Sequence, residues 1–134
     1  MARPRHENPT PAELEILQVI WDRGPSTVRE VMNALNERKR RAYTSIMSLM
    51  TVMTEKDQLR QKPKGRAFVY SAKISRAKTQ SRLVKDLLSR AFDGSASTLV
   101  AQLLQQARPD AEEMDEIHKT IAEFAQKKGG PPCQ

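Results

Sequence analysis

Apolar residues recur at helical spacing through the first third of the chain. Val28, Val31, Met32 and Leu35 lie at i, i+3, i+4 and i+7, the pattern of a helix buried on one side. An earlier apolar stripe in residues 14–21 ends at Gly24-Pro25. Each stripe follows a Thr-x-x-Glu capping box, at residues 10–13 and 27–30. The pattern therefore predicts helices that begin near Pro11 and Val28, the second closed by Asn36 in a left-handed conformation.

A third helix is predicted over residues 42–56. Ile46, Leu49, Met50 and Met53 repeat at helical spacing and form its buried face. The opposite face is short, polar and almost uncharged, whereas a helix facing only water usually carries Glu and Lys there. Small hydroxyls and methyls are the groups that a helix needs in a DNA groove.

Alternating residues then predict two short strands, 58–62 and 66–70, joined by a turn that contains Gly65. Beyond this hairpin the chain predicts three more amphipathic helices. Their apolar stripes lie in residues 83–92, 99–107 and 114–124, with breaks at Asp93-Gly94 and Pro109-Asp110.

Three helices followed by a basic hairpin predict a mainly α fold with a small β-hairpin, a winged helix-turn-helix. We expect this DNA-binding domain over residues 1–73, a helical dimerisation domain over 74–128 and a flexible tail over 129–134. A helical bundle with an added hairpin is the structural alternative.

Charge is concentrated in one segment. The 134 residues carry a net charge of +7, and residues 37–66 hold nine Lys or Arg against three acidic residues. A local basic surface favours a polyanion partner, although a solvated charged face is the alternative.

Composition removes several classes of function. Cys133 is the single cysteine, which excludes a disulfide framework and a cysteine-based zinc site, and the two histidines lie too far apart to form a metal-ligand set. No apolar run approaches about 18 residues, so we expect no membrane insertion and a cytoplasmic protein. The sequence lacks a Gly-rich phosphate-binding loop and a recognisable set of paired catalytic residues. We therefore expect neither enzyme activity nor a bound cofactor.

The candidate DNA-binding residues fall in the basic segment. Hydroxyls of the third helix are candidate readers of base edges, Met47 is a candidate contact for a thymine methyl, and cations are candidate phosphate contacts. The set is Arg40, Arg41, Tyr43, Thr44, Ser45, Met47, Ser48, Lys62, Lys64 and Arg66.

The last 60 residues are too few to form a comfortable core alone, so their stripes predict burial against a second copy. The candidate dimerisation residues are Leu83, Leu87, Leu88, Leu99, Leu103, Leu104, Ile117 and Ile121.

Three segments resemble one family. The run from Pro11 to Trp21 is similar to the N-terminal segment of the penicillinase-repressor (BlaI/MecI, CopY-related) family. Residues 42–48 (Ala-Tyr-Thr-Ser-Ile-Met-Ser) resemble the recognition helix of that family. Residues 65–70 (Gly-Arg-Ala-Phe-Val-Tyr) resemble its wing strand. The resemblance spans about residues 8–128 and implies a bacterial transcriptional repressor that binds palindromic operators as a homodimer.

The resemblance also implies possible triggers. The copper-responsive branch uses a C-terminal Cys-rich motif, which Cys133 alone does not provide. The β-lactam branch, tied to antibiotic resistance, is cut by a membrane sensor-linked protease in the helix after the Gly break. That position corresponds to Gln102–Leu103, where the family typically has Asn-Phe.

Two other functions fit the same order of elements. An effector-sensing regulator of the MarR kind would use helices both before and after the winged domain for its dimer. A winged-helix adaptor that binds proteins would lack the basic concentration in residues 37–66, and its binding would depend little on salt.

Overall fold

The computed structural model describes residues 8–128, and the expected tail at 129–134, with Cys133, lies outside them. Six helices and two strands follow one another in the described part, and the predicted element order is confirmed. They are α1 (Pro11–Arg23), α2 (Val28–Leu35), α3 (Tyr43–Glu55), β1 (Leu59–Lys64), β2 (Ala67–Ala72), α4 (Arg76–Ala91), α5 (Ala96–Ala107) and α6 (Ala111–Lys128).

Both predicted capping boxes are present. The backbone N–H of Glu13 donates to the Thr10 hydroxyl over 3.2 Å, and the Glu13 carboxylate accepts from the Thr10 N–H over 3.0 Å. Thr27 and Glu30 make the same reciprocal pair at the start of α2. Each box satisfies two N–H groups that the first helical turn leaves without partners.

The end of α2 differs from its prediction. Asn36 has φ −70° and ψ −8°, which is right-handed rather than left-handed backbone. Its side-chain oxygen instead accepts the N–H of Arg41 over 2.7 Å. The asparagine therefore closes the turn between α2 and α3 through its side chain, which brings the basic residues 38–41 back to the start of α3.

Strands β1 and β2 form the predicted antiparallel hairpin, with Leu59 opposite Ala72 and Lys64 opposite Ala67. Gly65, the first of the two turn residues, has φ +64°, the left-handed backbone that glycine adopts without strain. An isolated β-bridge also joins the hairpin to the chain before α2. Ser26, between α1 and α2, exchanges two backbone hydrogen bonds of 3.0 and 2.8 Å with Tyr70.

The core of the molecule lies between the first three helices and the base of the hairpin. Its buried side chains are Ile16, Leu17, Ile20, Val28, Val31, Leu35, Ile46, Met50, Met53, Leu59 and Tyr70. Trp21 is half-buried against this cluster. The tryptophan Nε1 donates to the carbonyl of Ile74 over 3.1 Å, which holds the chain after the hairpin against α1.

Arg76 continues this attachment into α4. Its guanidinium lies 5.5 Å from the centroid of the Trp21 ring and is ion-paired with Asp22. The first turn of α4 is therefore fastened to the last turns of α1 by a cation–π contact and a salt bridge.

The chain divides into two compact units, with the boundary inside α4 between Asp86 and Leu87. In the second unit Ser95 caps α5, and the Asp110 carboxylate accepts the N–H of Glu113 at the start of α6. Residues 87–127 include half-buried side chains and no fully buried one. Among the described residues, no helix combines the length and apolar character required to cross a bilayer.

Candidate nucleic-acid interface

The outer face of α3 is exposed as a strip of small polar groups around one methionine. Thr44, Ser45 and Ser48 are exposed, and Met47 is 46% exposed. Ile46, Met50 and Met53 hold the other face of the helix in the core. Burial on one side thus fixes which side chains α3 presents outward.

The first turns of α2 and α3 meet at Arg29 and Tyr43. The Arg29 guanidinium carbon lies 5.2 Å from the centroid of the Tyr43 ring, within the range of a cation–π contact. Both side chains are exposed, so the charge of Arg29 is accessible while the ring restricts its position. Arg29 was not a predicted site residue, because the contact joins two helices and leaves no trace in the spacing of either.

Two arginines that are predicted to bind DNA precede α3, and their surroundings differ. Arg40 is exposed. Arg41 is half-buried and forms a salt bridge of 2.8 Å with Glu15 of α1. Part of its charge is already balanced within the molecule, and its backbone N–H is held by Asn36.

Four cations line the hairpin, hereafter the wing. Arg60, Lys62, Lys64 and Arg66 are all exposed, and no acidic residue occurs between residues 58 and 72. The register places Arg60, Lys62 and Lys64 on one face of the wing, since they alternate along β1. The wing therefore presents a one-sided row of positive charge.

A buried ionic network lies where α3 passes into the wing. Glu13 is buried, and its Oε2 accepts a hydrogen bond from the Nζ of Lys56 over 2.8 Å. The Nε2 of Gln58 donates to the other carboxylate oxygen over 3.3 Å. Burial by itself raises the pKa of Glu13, but hydrogen bonds from Lys56, Thr10 and Gln58 and the charge of Lys56 outweigh it and lower the pKa.

All ten predicted DNA-binding residues belong to the first unit, and nine of them are exposed, Arg41 being the half-buried one. The predicted dimerisation residues are also incompletely covered. Leu87, Leu103 and Ile121 are exposed, and the other five are half-buried. Among residues 8–128, no cluster of three or more His, Cys, Asp or Glu is arranged to hold a metal ion.

A family model described as "Penicillinase repressor" matches residues 9–123. The chain belongs to the penicillinase repressor family. This confirms the resemblance found in the sequence, and the winged helix-turn-helix is the fold of its first unit. As a family member, the chain is a DNA-binding transcriptional repressor.

Two curated relatives cover nearly the whole chain. A penicillinase repressor of Bacillus licheniformis is 25% identical over 117 residues, which are 87% of this chain and 91% of the relative. A transcriptional regulator named BlaI from Mycobacterium tuberculosis is 30% identical over 122 residues, or 90% of this chain and 87% of the relative. The match therefore includes both compact units.

Among solved structures, the chain is similar to the B. licheniformis BlaI monomer bound to the blaP half-operator. The two are 27% identical, with a TM-score of 0.47 over 53% of this chain and 87% of the other. The DNA-binding domain of the repressor BlaI is 26% identical, with a TM-score of 0.48 over 57% of this chain and 92% of the other.

Proposed function

We propose that the chain represses transcription as a homodimer, with each copy binding one half of a palindromic DNA site. In this proposal α3 enters the major groove and the wing lies along the phosphates. The observation that carries it is the exposed outer face of α3, which is polar, almost uncharged and bordered by cations. Such a surface combines groups for base edges with groups for the backbone.

The basic surface supports DNA rather than a protein as the partner. Residues 37–66 carry a net +6, and the wing cations have no acidic neighbour in the wing. Neutralising phosphates releases counterions, so each phosphate contact makes the affinity more dependent on salt. A winged-helix adaptor would not show this dependence.

Exposed apolar stripes support the dimer. On α5, Val100 is 40% exposed and Leu103 is 54% exposed, and on α6, Ile121 is 55% exposed. A second copy would cover these side chains and supply the core that the second unit lacks in a single chain. Two linked DNA-binding domains would then bind two half-sites tightly, because binding of the first domain raises the effective concentration of the second at its half-site.

The proposal also includes release of the repressor from DNA by proteolysis. The Gln102–Leu103 bond lies within α5, and neither side chain is buried. Because α5 contributes no buried side chain in a single chain, its local opening requires little loss of packing. A cut at this bond would separate the end of α5 and all of α6 from the first unit, and we propose that a sensor-linked protease makes it.

The salt dependence of binding tests the DNA-binding part directly. A duplex selected from a random library by the full chain serves as the operator, and its affinity is measured from 50 to 300 mM salt. Lys64→Ala with Arg66→Ala should flatten the slope of log affinity against log salt by about 1.8, or about 0.9 for each lost contact.

The matched control removes the same charge from α6. Lys119→Ala with Lys127→Ala should leave the slope unchanged, because these lysines lie outside the first unit. If the wing variant and the wild type have equal slopes, the wing does not contact the DNA phosphates.

A further inference from the structure

The two faces of the wing differ in chemistry. Residues directly opposite each other in an antiparallel pair share one face. Gln61 is opposite Tyr70 and Pro63 is opposite Phe68, so these four residues lie on one face. The hydrogen bond of 2.9 Å from the Gln61 Nε2 to the Tyr70 hydroxyl shows that the first pair is in contact there. The row of Arg60, Lys62 and Lys64 lies on the other face.

Phe68 extends the apolar face past the core. Tyr70, two residues along the same strand, is 3% exposed, whereas Phe68 is 48% exposed. Its cross-strand partner Pro63 is also exposed. The tip of the wing therefore carries an apolar pair, Phe68 with Pro63, that contributes nothing to the buried cluster of the first unit. Neither residue has a role in the DNA contacts derived above.

The charge around this pair identifies its partner. Lys62, Lys64 and Arg66 surround it in sequence, and no acidic residue lies in the wing. An apolar protein surface would bring no anions to these cations. The backbone of duplex DNA presents phosphates and apolar sugar edges side by side, and Phe and Pro are among the side chains that proteins place in the minor groove.

We propose that Phe68, supported by Pro63, packs against deoxyribose edges of the minor groove while the wing cations bind the adjacent phosphates. The proposal rests on the proposed function, since it assigns a non-ionic contact to the same interface. It makes Phe68 a determinant of affinity whose contribution does not depend on counterion release, in contrast to Lys64.

Three substitutions separate this role from a structural one. Phe68→Thr removes the ring and keeps a β-branched residue that suits a strand. Phe68→Leu keeps apolar bulk at the same position. Lys64→Gln removes one charge from the opposite face. The thermal unfolding midpoint and the sedimentation of each full-length variant report whether folding and assembly are intact.

Affinity for the selected duplex is then measured against salt. Phe68→Thr should weaken binding about tenfold, equivalent to about 1.4 kcal/mol, with an unchanged salt slope. Phe68→Leu should restore most of the affinity. Lys64→Gln should flatten the slope by about 0.9. A Phe68→Thr variant that is folded and binds as tightly as the wild type would overturn the proposal.

Hydroxyl-radical footprinting locates the contact, because the radical cuts at sugars exposed in the minor groove. The wild type should protect a short run of sugars at the wing in each half-site, and Phe68→Thr should expose that run while the protection of the other sugars in the half-site remains. Identical footprints for the two proteins would also overturn the proposal. If the wild type selects no duplex at all, the proposed function itself fails, and the two failures are thereby distinguished.

Discussion

The Nζ of Lys56 lies 2.8 Å from the Oε2 of Glu13, so the residue that follows α3 is paired with the first turn of α1. The lysine side chain is 24% exposed and the glutamate side chain only 3%. Gln58, the residue before β1, donates to the same carboxylate. One buried carboxylate thus joins the start of α1, the end of α3 and the beginning of the wing.

Removing this carboxylate should destabilise the first unit. Glu13→Ala leaves the N–H of Thr10 and the buried amide of Gln58 without their acceptor, at a cost of about 1–3 kcal/mol in the free energy of unfolding. Glu30→Ala is the matched control, because Glu30 closes the same kind of capping box on an exposed surface. Chemical denaturation should show a larger loss for Glu13→Ala, and equal losses would mean that the tertiary contacts add nothing.

The lowered pKa of Glu13 predicts a loss of stability in acid. A carboxylate whose pKa is lower in the folded state stabilises the fold above its unfolded pKa, near 4.5, and this contribution disappears as pH falls through the folded pKa. Unfolding of the wild type should therefore become easier below about pH 4.5. Glu13→Gln, which cannot ionise, should show a shallower decline over the same range, and parallel pH profiles would contradict this assignment.

The stack of Arg29 on Tyr43 predicts a role for the ring rather than for its hydroxyl. Tyr43→Phe keeps the aromatic face and should bind DNA like the wild type. Tyr43→Leu loses a contact of about 0.5–1 kcal/mol and should weaken binding to all duplexes equally. Arg29→Ala should in addition flatten the salt slope by about 0.9. If Tyr43→Phe is as defective as Tyr43→Leu, the hydroxyl itself contacts DNA and the stack is incidental.

Much of the fold could be predicted because its signals are local. The two capping boxes, the helical stripes and the alternation in the wing each involve residues within a few positions of one another, and the structure confirms the elements that they indicate. Asn36 is the exception, since a left-handed residue and a side-chain hydrogen bond to residue 41 both end a helix, and local sequence does not distinguish them.

The contacts that shape the candidate interface are different, because they join residues far apart in sequence. Ser26 pairs with Tyr70, and an isolated bridge of one residue has no periodicity to detect. The salt bridge of Arg41 with Glu15 and the stack of Arg29 on Tyr43 depend on how the helices pack. Sequence could therefore predict which elements present the candidate residues, but not which charges are already paired or which aromatic ring restricts the position of an arginine.

Exposed hydroxyls on α3 predict changes in sequence preference. Thr44→Ala or Ser48→Ala should cost about 1–3 kcal/mol on the selected duplex and little on a scrambled one. Thr120→Ala, which removes an exposed hydroxyl from α6, is the control. Selection from a random library should return an altered motif for the α3 variants. An unchanged motif for both would contradict the placement of this helix in the groove.

The helices of the second unit should form the dimer interface, and dimerisation should be required for tight binding to the operator. Leu87→Asp or Leu103→Asp introduces a carboxylate into a stripe that we expect to be buried between two copies. An uncompensated buried charge costs about 3 kcal/mol or more, so each variant should sediment as a monomer at concentrations where the wild type is a dimer. The first unit should stay folded, since the core between α1, α2, α3 and the wing contains neither residue.

Gln105→Asp separates this effect from a general effect of charge on α5. Its carboxylate would stand on the face of the helix opposite Leu103, because two residues along a helix correspond to a rotation of about 200°. This variant should remain dimeric and bind the operator with wild-type affinity.

Residues 1–102 alone, which lack the end of α5 and all of α6, should behave like Leu103→Asp. The truncated chain should still bind a half-site weakly, because its reading helix and wing are intact, but it should lose the gain in affinity from two linked half-sites. A truncated chain that sediments as a dimer and binds the full operator tightly would show that cleavage at Gln102 cannot release the repressor.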